Sequence, residues 1–233
     1  YTGTITITDI PTNEQLALID AATTGNIIYS TGDYTVSDST ISASQLNSLN
    51  AQYSGTVDAT AVTTITGTAA EINTVYSSSG ISGLGNEAVT IADTPSITEL
   101  NNITAQTTGI VTSTLAANSI ANLASLSTAA TDQITITIND ADATSITAAD
   151  LSTLGGKTSG TVTVTNAVNI IGDHDQLTAA LVTESTKVSV SDATVLINDA
   201  DATAISATEL SAIGGETTGT VTVSNAVNII GDH

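Results

Sequence analysis

Residues 139–174 read NDADATSITAADLSTLGGKTSGTVTVTNAVNIIGDH, and residues 198–233 read NDADATAISATELSAIGGETTGTVTVSNAVNIIGDH. A near-duplicate at an offset of roughly 59 residues restricts the chain to folds built by stacking like segments on like. A finer pattern lies beneath it: Ser, Thr or Asp, two residues, an acid or amide, then Leu or Ile. It occurs at Thr12/Gln15/Leu16, Ser42/Gln45/Leu46, Thr68/Glu71/Ile72, Ser96/Glu99/Leu100, Ser119/Asn122/Leu123, Thr147/Asp150/Leu151, Asp173/Gln176/Leu177 and Ser206/Glu209/Leu210. These are about eight occurrences at intervals of roughly 23 to 33 residues, the period range of repeat architectures.

The pattern is that of a capping box. The first side chain accepts from an orphan N–H of a helix's first turn, and the fourth reaches back to the cap. Short amphipathic runs follow, such as LNSL (46–49), LNNI (100–103), LSTL (151–154) and LSAI (210–213), with apolar residues on one helical face. Turn signals come next: ATTG (22–25), YSG (53–55), QTTG (106–109), KTSG (157–160) and ETTG (216–219). The period then changes to two, as in TVTVTNAVNI (161–170), AVTIAD (88–93) and ITITIND (134–140), which is the alternation of a half-buried strand. From the second helix onward the repeats alternate. Those at Ser42, Ser96, Thr147 and Ser206 end in a Thr/Ser-Gly turn, and those at Thr68, Ser119 and Asp173 do not. The long duplicate is therefore two repeats copied together.

One strand and one short helix per repeat predict parallel pairing between neighbours. The expected fold is a repeat solenoid: a parallel β-solenoid of about eight coils, with a short capped helix in most, forming one elongated array over residues 1–233. A β-sandwich shares the Thr/Val strands and Gly turns but seldom carries a capped helix between strands. A leucine-rich horseshoe has a similar period, yet its consensus is absent.

Composition sharpens this. Phe, Trp, Met and Cys are absent and the aromatics are five Tyr, so the core has to be thin and aliphatic. Lys157 and Lys187 are the whole basic complement besides two His, against 23 Asp and Glu and a net charge of -21. Nucleic acid and anionic membrane surfaces are excluded as partners, and divalent cations are the natural counterions. No apolar run approaches the roughly 20 residues of a membrane span. The chain starts at Tyr1 rather than Met, which suggests a mature or excerpted segment.

Catalytic residue types are sparse. There is no Cys nucleophile, and His174 and His233 are one repeat position seen twice. His174, in GDHD (172–175), has the residue types of a base or metal ligand, but it reads as a surface turn residue. GLG (83–85) lacks the Lys of a phosphate loop. No enzyme activity is expected. The Asp pairs are the better candidates. Asp140 with Asp142, and Asp199 with Asp201, precede helix caps, as do Asp38 and Asp93. Stacked rows of carboxylates point to calcium as the one candidate cofactor, while Asp at a helix start also simply complements the dipole. Thr ladders such as TITIT and TVTVT suit a flat binding face, for ice or glycan, or are ordinary strand residues.

TTGTVTVSNAVNI, GISGLGNEAVTIAD and AALVTESTKVSVSDA resemble the tandem-repeat regions of giant secreted surface proteins of marine cyanobacteria and related bacteria. The resemblance covers the chain from about residue 34 onward. It implies an extracellular or cell-surface location and a structural or adhesive role in sheath, surface layer or filament, in calcium-rich surroundings. The expected function is a rigid acidic rod. The alternative is an adhesin stalk or binding module presenting a Thr/Asp-rich face. The ends carry no evident capping segment, which predicts head-to-tail self-association into filaments.

Overall fold

The structure, a computed structural model, describes residues 1–7, 12–25, 27–29 and 32–231. His233 therefore lies outside the described residues. Eight α-helices occur among the described residues: α1 (Asn13–Ala22), α2 (Ala43–Gln52), α3 (Ala69–Ser77), α4 (Ile97–Thr104), α5 (Ile120–Leu123), α6 (Ala148–Gly155), α7 (His174–Leu177) and α8 (Ala207–Gly215). A π-helical turn, Thr178–Val182, continues α7.

Each helix begins where the capping pattern put it. Thr12, Ser42, Thr68, Ser119, Thr147, Asp173 and Ser206 accept from the backbone N–H three residues on. At Thr12, Ser42, Thr68, Asp173 and Ser206 the N3 side chain returns the bond, closing the box. The helix α4 starts directly after Ser96.

The chain divides into two compact units, Tyr1–Pro95 with Glu99–Ser113, and Ser96–Thr98 with Thr114–His233. In the first, Ile5–Ile7 pairs with Ile27–Tyr29, and Tyr34–Thr35, Val57–Asp58 and Ile81–Ser82 form a second sheet. The third sheet is Thr40–Ser42, Thr64–Gly67, Ala88–Ile91 and Val111–Thr114 in sequence order. In the second unit Gln133–Ile138 pairs with Val162–Val164. There, Ser145–Thr147, Asn169–Gly172, Thr194–Ile197 and Val221–Val223 make a four-stranded sheet, and Ala204–Ser206 pairs with Asn228–Ile230. Every one of these pairings is parallel, as a strand-per-repeat arrangement requires.

The β-solenoid expectation is corrected. The fold is α/β, about 30% helix and 25% strand, with several separate parallel sheets that do not close. The physical cause is the length of the helices. Most span two or more turns and supply one wall of the repeat. A helix satisfies its own backbone groups, so no ladder crosses that wall, and the sheets remain short and open. Each of the two units is a run of stacked repeats.

The cores are aliphatic rows in register. In the first unit Ile41, Ile65, Val89 and Val111 are consecutive Cα partners, and all are buried. In the second, Ile146, Ile170 and Val195 do the same, and Ile136 and Ile138 face Val162 and Val164. Helix residues close over these rows: Leu46, Leu49, Ile72 and Val75 in one unit, Leu151, Leu154, Leu177 and Leu181 in the other.

Candidate functional site

The residues with chemical potential sit at the junctions between successive repeats, and three side-chain devices recur there. The first belongs to the Asp pairs. A helix leaves its first N–H groups without intrahelical partners. Asp93 Oδ1 accepts from Ala69 N at 2.8 Å, Asp140 Oδ2 from Ile120 N at 2.7 Å and Asp199 Oδ2 from His174 N at 2.9 Å. Each donor is the first residue of α3, α5 or α7, in the repeat before the Asp. These carboxylates are therefore helix caps delivered across a junction, and a negative charge there also suits the helix dipole. The second Asp of each pair reaches the opposite way: Asp142 Oδ1 accepts from Ala167 N at 3.1 Å and Asp201 Oδ1 from Ala226 N at 3.0 Å.

Asn residues complete the same junctions. Asn166 and Asn169 donate through Nδ2 to the carbonyls of Asp140 and Ala143, and Asn225 and Asn228 do so to Asp199 and Ala202. This explains why NDADAT and NAVNI were copied together: one is the lock of the other. In the first unit Asn47 and Asn73 donate to the carbonyls of Glu71 and Glu99, tying helix to helix. The Leu-Asn or Ile-Asn pair that follows three of the caps, at 46–47, 72–73 and 100–101, is the sequence signal for this ladder.

The third device is the first Thr of the TTG and TSG turns. Thr23, Thr107, Thr158 and Thr217 each accept from the Gly N two residues on and donate to a carbonyl of the previous repeat. The Gly is required by proximity. A Cβ at Gly109, Gly160 or Gly219 would lie 2.2, 2.4 or 2.2 Å from a backbone carbonyl oxygen of the preceding repeat. The pattern had identified these turns but not the staple they make.

Among the described residues, no three His, Asp or Glu side chains converge as a metal site would need. Asp140, Asp142, Asp199 and Asp201, expected as calcium ligands, each have a carboxylate oxygen bound to a backbone N–H. Asp140 and Asp142 point to different repeats, as do Asp199 and Asp201, so each pair is separated in function though adjacent in sequence.

His174 is not the exposed turn residue expected from GDHD. Its side chain is 15% exposed, and its Nδ1 lies 2.6 Å from Oδ1 of Asp199, itself 5% exposed. That hydrogen bond is the main reason the imidazole's pKa is raised above its ordinary value. Burial opposes the shift, and the charges of Asp199, Asp175 and Glu209 add to it.

The glycine loop GLGNE folds around the chain's own carboxylate. Glu87 is 1% exposed, its Oε2 accepts from Gly85 N at 2.7 Å and Asn86 N at 3.0 Å, and its Oε1 accepts from the Tyr76 hydroxyl. Positive φ at Gly83 (82°) and Gly85 (132°) allows the wrap. The amides that a phosphate would use are occupied by Glu87. Burial and the Glu87 hydrogen bond push the Tyr76 hydroxyl pKa far up.

Both lysines also hold junctions. Lys157 Nζ donates to the carbonyls of Ala124 (3.0 Å) and Leu126 (2.6 Å), and Lys187 pairs with Glu216 at 3.0 Å. Beside Lys157 a groove of about 220 Å³ runs between α5 and α6, floored by Ile120, Leu123 and Leu154.

No family model matches the chain, and no curated protein or solved structure is significantly similar to it.

Proposed function

We propose that the chain is a structural element of extracellular material, a stiff acidic repeat array whose task is mechanical. One observation carries this reading. The Asp, Asn and Thr side chains, where an enzyme or receptor would place its chemistry, are engaged in repeat-to-repeat bonds that recur at junction after junction. Parallel ladders with side-chain staples resist shear between repeats, because sliding one repeat breaks many bonds together. The cyanobacterial surface-protein resemblance supports a secreted or cell-surface location, and the scarcity of Lys and Arg leaves trypsin-like proteases little to cut. Self-association head to tail into filaments belongs to the same proposal.

Single-molecule stretching tests it. Repeats should release in steps of about 24 to 29 residues or simple multiples, roughly 8–10 nm of contour each, at forces well above those of an unstapled helical array. Release at low force without steps refutes the mechanical role. Sedimentation over a range of concentrations tests the filament.

A second reading is favoured by one row of hydroxyls. Ser42, Thr66, Thr90 and Thr112 are consecutive partners on the outer side of their sheet. Such a row suits a binding face for ice or glycan, and ice-recrystallisation and glycan-array measurements decide it.

A further inference from the structure

His174 opens α7 with its ring turned into the junction with the next repeat, and carboxylates face it from three directions. Asp199, 25 positions on and buried, accepts from the ring's Nδ1 at 2.6 Å and from His174 N at 2.9 Å. Asp175, the next residue of α7, has Oδ1 3.5 Å from Nε2. Glu209, in the first turn of α8, acts on the ring through its charge. The other elements packed on α7 bring no cation. Strand Asn169–Gly172 and the π-helical turn Thr178–Val182 have no titratable side chain. In α6 the titratable group is Asp150, whose Oδ2 accepts from the Thr147 hydroxyl, and the cap Asp173 accepts from Gln176 N. We infer that His174 is a proton-set latch between the Asp173 and Ser206 repeats, fast while the ring is an imidazolium and slack once it is neutral.

The imidazolium pairs with Asp199 and Asp175 at once and offsets charge at a crowded point of a chain with net charge -21. Loss of one proton changes each contact. A carboxylate only accepts, so the neutral ring keeps its proton on Nδ1, and the bond to Asp199 survives at roughly half strength without charge assistance. At Nε2 a lone pair then faces the Asp175 oxygen. Asp199, Asp175 and Glu209 are left with no counter-charge between them. The junction therefore slackens without losing its cap. The ring's pKa is raised by the Asp199 hydrogen bond first and by the three charges after it. The latch is thus fully fast below about pH 6.5 and is released as pH rises through the raised value. Two other junctions lack the device. Asp93 and Asp140 make the same cap contact to Ala69 and Ile120, which carry no imidazole, so a rise in pH opens the His174 junction ahead of them.

The test is amide hydrogen exchange by NMR on the His233→Ala chain, which leaves a single imidazole, below and above the ring's titration midpoint read in the same samples. Rates are corrected for the intrinsic effect of pH. Across the midpoint, protection at His174 N and at Asn198 N, which donates to Gly172 O over the same junction, should fall. The fall should be about tenfold for each unit by which the measured midpoint exceeds 6.5. Protection at Ala69 N and Ile120 N should stay level. His174→Asn keeps a donor towards Asp199 and should make the junction indifferent to pH. Glu209→Gln keeps the capping box and should lower the midpoint and shrink the fall. The readings on the unsubstituted ring stand even where a variant fails to fold. A midpoint at or below 6.5 overturns the latch. So does an equal change at all three junctions, or a fall that persists in folded His174→Asn.

Discussion

Thr158 is the place to test whether the Thr staples hold the repeats together. The residue is 5% exposed. Its hydroxyl accepts from Ile134 N and Gly160 N, both at 2.8 Å, and is 2.9 Å from the carbonyl oxygens of Asp132 and Ile134 as a donor. Thr158→Val keeps shape and volume, so no cavity forms. It strands one buried and one half-buried N–H, at about 1–3 kcal/mol each. The expected loss is about 2–6 kcal/mol, a large part of a domain's usual stability of about 5–15 kcal/mol. Thr158→Ser keeps the hydroxyl and gives up a methyl, about 1 kcal/mol. Urea unfolding followed by circular dichroism supplies the totals. Hydrogen exchange at Ile134 and Gly160 supplies the local reading, which matters because repeat arrays do not always unfold as one. If valine costs no more than serine, or the two amides exchange no faster, the staple is not what secures this junction.

Ser113 carries a buried hydroxyl with no hydrogen-bond partner, so Ser113→Ala should raise stability by about 1 kcal/mol in calorimetry. Gly109→Ala puts a Cβ 2.2 Å from the Glu87 carbonyl oxygen and should cost more than about 2 kcal/mol in urea titration. The imidazole of His174 has its pKa raised in the folded state above the ordinary 6.5. Its contribution is therefore full below about pH 6.5 and lost as pH rises through the raised value. Melting temperature should fall across that window in the native chain and stay flat in His174→Asn. Because the carboxylates at Asp140, Asp142, Asp199 and Asp201 already cap backbone N–H groups, calcium or a chelator should shift melting by less than about 2 °C. A larger calcium-dependent rise supports calcium binding at these aspartates.

The sequence by itself determined what is local. Ser42 with Gln45, Thr68 with Glu71 and Ser206 with Glu209 fix helix starts within four residues. Alternation in TVTV fixes which valines face inward, and duplication fixes parallel stacking. What pairs with what across some 20 to 26 residues was decided only by the tertiary structure. Asp140 and Asp142 look like one site in the sequence, yet a turn with Ala143 at φ 61° sends their carboxylates to different repeats. His174 reads as a turn residue until Asp199, 25 positions on, is seen to hold it. The β-solenoid expectation failed for the same reason. A capping box announces where a helix begins, but its length, and hence whether a repeat has a helical wall or a third strand, is set by the neighbour against which it packs.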